Sequence, residues 1–355
     1  MALRLPAITH SLQCGTMKNL ILIAALGASQ ALAQEAPVAR ANWAVTRAGD
    51  QVYTFYGLGA GKSYRDIERD VHALDLRSGN WRKAGDVPVE HGRLASAAVT
   101  VAGAVYVIGG YTVSPKGEEV STPEVLRYLP EGGRFEVDSK MPVPVDDSVV
   151  MPWRDRWIVL VSGWHDKDNV ADVQIYDTKT KQWTAATPWP GKPVFGHAGG
   201  LVQDTMVVCD GVTSAKGADG KNQFAITNEC WQGTLDAAQI GRINWRQLPA
   251  HPGAPLYRAG AVGDAGRILF AGGSSRPYNY NGIGYDKQPS EPSDAVFSFD
   301  PVRDTWQSHA PLPEAGMDFR GLIPLGDGAY GLFGGMRAGQ RVSGSVIRFT
   351  PSYTK

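Results

Sequence analysis

Six polar positions recur along this chain at nearly the same distance ahead of a glycine. Arg40, Arg93, Asp146 with Asp147, His197, Arg258 and Arg320 stand roughly 14 to 17 residues before Gly57, Gly110, Gly163, Gly211, Gly273 and Gly335. A second set follows the same glycines: Tyr111, then Trp164 with His165 and Asp166, then Lys216, then Arg276 with Tyr278 and Asn281, then Arg337. Guanidinium groups grip carboxylates in a bidentate fork. Tyrosine and tryptophan offer flat apolar faces to a sugar ring, and a histidine or carboxyl placed beside them can move a proton. Gathered together, these residues form a cup for a small acidic sugar or another glycan. The alternative is that the arginines and aspartates pair among themselves to satisfy a polar channel.

What gathers them is a repeat. An apolar run ending in glycine is written clearly at Val105–Gly110, Ile268–Gly273 and Tyr330–Gly335, and more loosely at Val52–Gly57, Trp157–Gly163 and Met206–Gly211. A second apolar strand, an aspartate and a tryptophan in a turn setting follow, as at Val71–Trp81, Val173–Trp183 and Val296–Trp306. The spacing of about 50 to 60 residues matches kelch blades. The fold class predicted is all-β: a six-bladed propeller of four-stranded meanders, with strands a to d in each blade. Strand d carries a large aromatic, Trp81, Phe135, Trp183, Trp245 or Trp306, which covers the face between neighbouring blades. The last copy stops short of a strand d, so the segment after residue 34 is expected to close the last blade and remove exposed edges. In a meander, the d-to-a and b-to-c connections lie at one end of every blade. Both polar sets are therefore expected at one mouth of the channel.

Lysine plus arginine and aspartate plus glutamate number 35 each, with no basic run. Nucleic acid is not an expected partner. Residues 1–33 read as an N-terminal extension and export signal, with translation starting at Met17. Lys18 supplies a positive charge, Leu20–Ala28 an apolar stretch too short to span a bilayer, and Ala31 to Ala33 a small-residue cleavage site. No cysteine sits at the cleavage point, so no membrane anchor is expected. The mature domain is expected to be 34–355, periplasmic or secreted, and an intracellular adaptor is excluded if the signal works. Cys209 and Cys230 fall on adjacent predicted strands. In an oxidising compartment they form a disulfide, the alternative being two buried thiols that never meet. No metal site is expected, because no histidine stands at ligand spacing from them. Gly57–Ser63 has the look of a phosphate loop, but Tyr56 stands where its first glycine belongs.

Over the whole mature chain the repeats resemble kelch motifs. Within blade five, the run Phe270–Arg276, continuing into Asn281, Gly282 and Tyr285, is similar to a loop of the bacterial periplasmic N-acetylneuraminate epimerases, or sialic acid mutarotases. The resemblance implies a cofactor-independent isomerase that opens a sialic-acid-type hemiketal in the channel mouth, one group taking the anomeric proton and another protonating the ring oxygen. That family places a glutamate, and soon after it an arginine, in the b-to-c loop of blade four. Here that position reads Val212, and no arginine follows nearby. Asp210, His197 and Glu229 are the substitutes at hand for the base. The ligand-binding set is Arg40, Arg93, Asp146, Asp147, Trp164, His165, Arg258, Arg276, Tyr278, Asn281, Tyr285, Arg320 and Arg337. The other reading is a propeller without catalysis that binds a glycan or an acidic loop of a protein partner.

Overall fold

The computed structural model describes residues 35–218 and 220–353. The expected export signal and its cleavage point lie outside these residues. Six antiparallel sheets follow one another in chain order. Blade one is made of Ala44–Ala48, Gln51–Phe55, Asp70–Asp75 and Trp81–Asp86. Blade two is Ala97–Val101, Ala104–Ile108, Glu124–Leu129 and Arg134–Lys140, and blade three is Val149–Trp153, Trp157–Val161, Val173–Asp177 and Gln182–Ala185. Blade four is Ala198–Val202, Thr205–Cys209, Cys230–Leu235 and Ile243–Leu248. Blade five is Gly260–Asp264, Arg267–Ala271, Val296–Asp300 and Thr305–Ser308. Blade six has three strands among the described residues, Ile323–Gly326, Ala329–Phe333 and Val346–Phe349. Every predicted apolar run is a strand b, flanked by a and c as a meander requires.

Strand b is buried on both faces, as in Ile158–Val161 and Leu269–Ala271, because blades pack against it from either side. The strand d aromatics also tie each blade to the one before it. Trp306 Nε1 donates to Pro249 O at 3.0 Å, Trp245 Nε1 to Thr187 O at 3.3 Å, and Trp183 Nε1 to Ser139 Oγ at 2.9 Å. Phe135, the substitute, has no such donor and packs edge-on against Phe55 of blade one instead. Burial of the ring and satisfaction of its N–H therefore come from the same residue.

The N-terminal segment meets blade six as expected. Ala36 N donates to Gly344 O, Arg40 N to Ser343 O, and Gly335 N to Arg40 O. Trp43 Nε1 donates to Phe333 O at 2.9 Å, and its ring stacks near Trp81. Blade one and blade six are thus joined by hydrogen bonds and ring contacts. Cys209 and Cys230, direct cross-strand neighbours in blade four, are joined by a disulfide.

Candidate functional site

The d-to-a and b-to-c connections do share one end of the disc. Six isolated bridges pair them: Ala41 with Leu58, Leu94 with Tyr111, Asp146 with Trp164, Phe195 with Val212, Tyr257 with Ser274, and Met317 with Met336. The residue after each first partner is therefore equivalent in all six blades: Asn42, Ala95, Asp147, Gly196, Arg258 and Asp318. All six have left-handed backbones, with φ between 49° and 68°. The predicted set was out of register with this ring. Arg40 and Arg93 lie two residues before it, Arg320 two after it and His197 one after it. Only Asp147 and Arg258 belong to it.

The ring is hydrogen-bonded all the way round the axis. Asp147 N donates to Ala95 O, Gly196 N to Asp147 O, Arg258 N to Gly196 O, Phe319 N to Arg258 O and Asn42 N to Asp318 O. The remaining link is a side chain: Asn42 Oδ1 accepts from Ala95 N at 2.8 Å. Charges lie across this ring. Arg258 Nε donates to both oxygens of Asp147 at 3.1 Å, and Nη1 donates to Asp318 Oδ1 at 2.9 Å. Arg320 forms a second ion pair with Asp147, and Asn42 Nδ2 donates to Asp318 Oδ1. Tyr257 and Tyr278 lie against the Arg258 guanidinium, 4.9 and 5.5 Å from its centre. Burial raises Asp147, but the two arginines outweigh it and hold the carboxyl below its usual range.

Above the ring is the mouth, a concavity of about 90 Å³ lined by Tyr111, Glu119, Asp146, Asp147, Trp164, Phe195, Phe224, Arg258, Asn279, Tyr280 and Tyr285. Its aromatic wall comes from three blades. Trp164 begins the short hairpin of blade three, Phe224 lies on the longer hairpin of blade four, and Tyr285 on the long connection of blade five. Phe224 and Tyr285 stack with centroids 4.0 Å apart and span the gap between blades four and five. Asp146 is 4% exposed, and its Oδ2 accepts from Ser121 Oγ at 2.6 Å. Burial first, and the charge of Asp147 second, push Asp146 well above the ordinary carboxyl range. Glu119, at the rim, is also raised by its low-polarity surroundings, with Arg258 opposing. The mouth thus holds two carboxyls whose values are raised, and one guanidinium already engaged by Asp147 and Asp318.

Of the predicted binding residues, Asp146, Asp147, Trp164, Arg258 and Tyr285 line the mouth together, and Tyr278 lies beneath it against Arg258. The others are elsewhere. Arg40 is paired with Asp70, Arg93 with Glu124, and Arg337 with Glu314. Arg40 and Arg93, each two residues ahead of the ring, meet a carboxylate at the start of strand c of the blade they lead into, and Arg337, just after the glycines, meets Glu314 in the connection from blade five to blade six. Arg276 pairs with Asp286 on the surface, Asn281 Oδ1 caps Ile283 N, and His165 turns with its hairpin outside the lining. The three base candidates are not at the mouth either. Asp210 is buried behind it, accepting from His251 Nε2 and Leu256 N, both at 2.8 Å. Glu229 accepts from Trp231 Nε1 and Lys192 N. His197 lies below the ring, its Nε2 2.8 Å from Val161 O, and burial lowers it to about 4. Val212 is fully buried in the apolar layer around the mouth with Phe195, Tyr257 and Met317, so no carboxylate fits there without leaving that layer.

Sequence reasoning missed Glu119, Phe195 and Phe224 in the lining, and Asn42 and Asp318 in the ring. The last two carried a usable cue, since Asn and Asp are the residues that tolerate left-handed backbone besides glycine. The lining residues lie on loop hairpins whose direction no repeat dictates.

No protein-family model matches the chain. Among curated proteins it is similar to Kelch-like protein 25 of Xenopus tropicalis, 21% identical over 281 residues covering 78% of this chain and 42% of that protein. It is also similar to Kelch-like protein 15 of Homo sapiens, 22% identical over 255 residues covering 71% of this chain and 40% of that protein. The chain thus spans about two fifths of the length of these relatives. Among solved structures, that of YjhT superposes with a TM-score of 0.73 at 16% identity, covering 92% of this chain and 98% of that one. The chain is a kelch-repeat propeller. A kelch propeller carries its variable chemistry on the loops that ring each mouth, so the b-to-c hairpins that hold Glu119, Trp164 and Phe224 bear on function more than the strands beneath them.

Proposed function

We propose that this protein binds a carbohydrate at the channel mouth. The observation that carries the reading is the meeting of an aromatic wall, Trp164, Phe224 and Tyr285, with two carboxyls, Asp146 and Glu119, over one closed floor. Flat rings take the apolar face of a sugar, and carboxyl oxygens accept from its hydroxyls. The charge balance favours a neutral sugar over the acidic one that the sequence suggested. Arg258 is spent on Asp147 and Asp318, and the remaining charged groups of the lining are acids. Residence in the periplasm or outside the cell is supported by the Cys209–Cys230 disulfide, which suits an oxidising compartment.

A second reading keeps the isomerase. In it Asp146, raised by burial and hydrogen-bonded by Ser121, serves as the acid for a ring oxygen and Glu119, also in the lining, as the base of a cofactor-independent mutarotase of the sialic-acid type. One experiment separates the two. Binding is measured against a panel of neutral and acidic monosaccharides, and anomeric equilibration of each binder is followed by proton NMR. Saturable binding of a neutral sugar with no change in equilibration supports the binding reading. Accelerated equilibration that is lost in Asp146→Asn supports the isomerase. No binding of any sugar removes both.

A further inference from the structure

We propose that the central channel on the far side of the axial ring is a second, separate ligand site, taking a small hydroxylated carboxylate. Ser148, His197, Ala259 and Phe319 follow the ring residues directly, and all four line a well of about 240 Å³ bounded by the a strands of all six blades. Its chemistry is the opposite of the mouth's. The charged groups of the mouth lining are Glu119, Asp146, Asp147 and Arg258. Those of the well are Arg47 and Arg320, with no carboxylate among the residues that line it. The ring with its Asp147–Arg258–Asp318 bridge separates the two.

The well also presents groups for hydroxyls. Thr46 Oγ1 and Thr100 Oγ1 lie 3.1 Å apart on neighbouring a strands, and Ser148 lies deeper. His197 is 4% exposed and lines the well. With Nε2 donating to the Val161 carbonyl and the ring neutral near pH 7, its Nδ1 is a bare acceptor with no hydrogen-bond partner in the protein. Arg320 Nε is likewise unpartnered. Buried acceptors and donors of this kind are uncommon unless a ligand or solvent meets them. The walls between are built of small residues: Ala97, Ala98, Ala198, Gly199, Gly200 and Ala261. Arg47, held at the open end by Pro324 O and Gly49 O with Asp50 3.9 Å from its guanidinium, meets the anion, and the Thr46 and Thr100 hydroxyls meet its hydroxyl groups. The volume is below the ~300–1,000 Å³ of sites for drug-sized ligands, which restricts the occupant to a small metabolite.

The test is calorimetric titration of the full chain at pH 7 with D-gluconate, and separately with inorganic phosphate and D-glucose. Gluconate is expected to bind one to one and more tightly than phosphate. Arg47→Ala is expected to weaken gluconate about tenfold, a charge-assisted contact being lost, and Arg47→Lys to recover part of that. Thr100→Val, which keeps shape and charge, is expected to weaken gluconate several-fold with an unchanged melting temperature. Binding of a neutral sugar at the mouth is expected to be unaffected by either variant, so failure of this site is distinguishable from failure of the mouth. Gluconate binding that is absent, that is no tighter than phosphate, or that survives both Arg47→Ala and Thr100→Val, overturns the proposal.

Discussion

Asp146 and Asp147 are adjacent in sequence and opposite in electrostatics. Asp147 is shared by Arg258 and Arg320, so its ionised form is the stabilised one. Removing that charge leaves two buried guanidiniums short of a partner, and Asp147→Asn is expected to cost about 3–5 kcal/mol in denaturant unfolding at pH 7. Asp146 has no cationic partner, and burial raises its carboxyl. The folded state there binds the extra proton, so this residue's contribution to stability falls as pH rises from the unfolded carboxyl value toward the raised one. Asp146→Asn, which keeps an acceptor for Ser121, is therefore expected to be neutral or stabilising at pH 7. His197 has the reverse sign. Its folded value of about 4 lies below the unfolded 6.5, so its contribution is complete above pH 6.5 and is lost as pH falls toward 4, by about 3 kcal/mol in all. Melting temperatures recorded between pH 7 and 4 are expected to fall less steeply in His197→Gln than in the parent.

At the scale of elements, the axial ring decides where every site residue goes, and each of its positions asks for a left-handed backbone. Gly196 meets that demand in a place where nothing larger fits: at φ 62°, a Cβ would lie 2.0 Å from the Tyr257 ring. Gly196→Ala is expected to cost at least about 2 kcal/mol, from the backbone alone and the displaced ring together, and to disturb the Arg258 floor through Tyr257. Asn42→Ala deprives the buried Ala95 N–H of its acceptor and is expected to cost about 1–3 kcal/mol, measured by urea unfolding. These positions also show what could be read in the sequence. The b strands, the strand d aromatics, the disulfide partners and the shared mouth were legible because burial and period fix them. The register of the polar ring was not. Arg40 and Arg93 sit two residues ahead of it and turn from the axis to a carboxylate at the start of strand c, whereas Arg320, two residues after it, reaches back to Asp147. Glu119 and Phe224 were illegible for a different reason: they ride on hairpins that no repeat copies.

On the scale of the whole molecule, the disc is closed by contacts distant in sequence. Trp43 joins Phe333 and Trp81 across the junction of blades one and six. Trp43→Ala is expected to cost about 3–5 kcal/mol, and its loss is expected to show as a broadened thermal transition, because the two terminal blades no longer melt with the rest. The closed disc then carries two unlike faces: an aromatic mouth with carboxyls in its lining above the ring, and below it a well whose charged lining residues are Arg47 and Arg320. The most direct test of that account is a titration of the protein with neutral monosaccharides, followed by the indole N–H resonance of Trp164, assigned by its disappearance in Trp164→Phe. A neutral sugar is predicted to shift that resonance saturably, and the shift to weaken in Asp146→Asn. A Trp164 resonance that stays put with every neutral sugar, or that moves only with acidic ones, contradicts it.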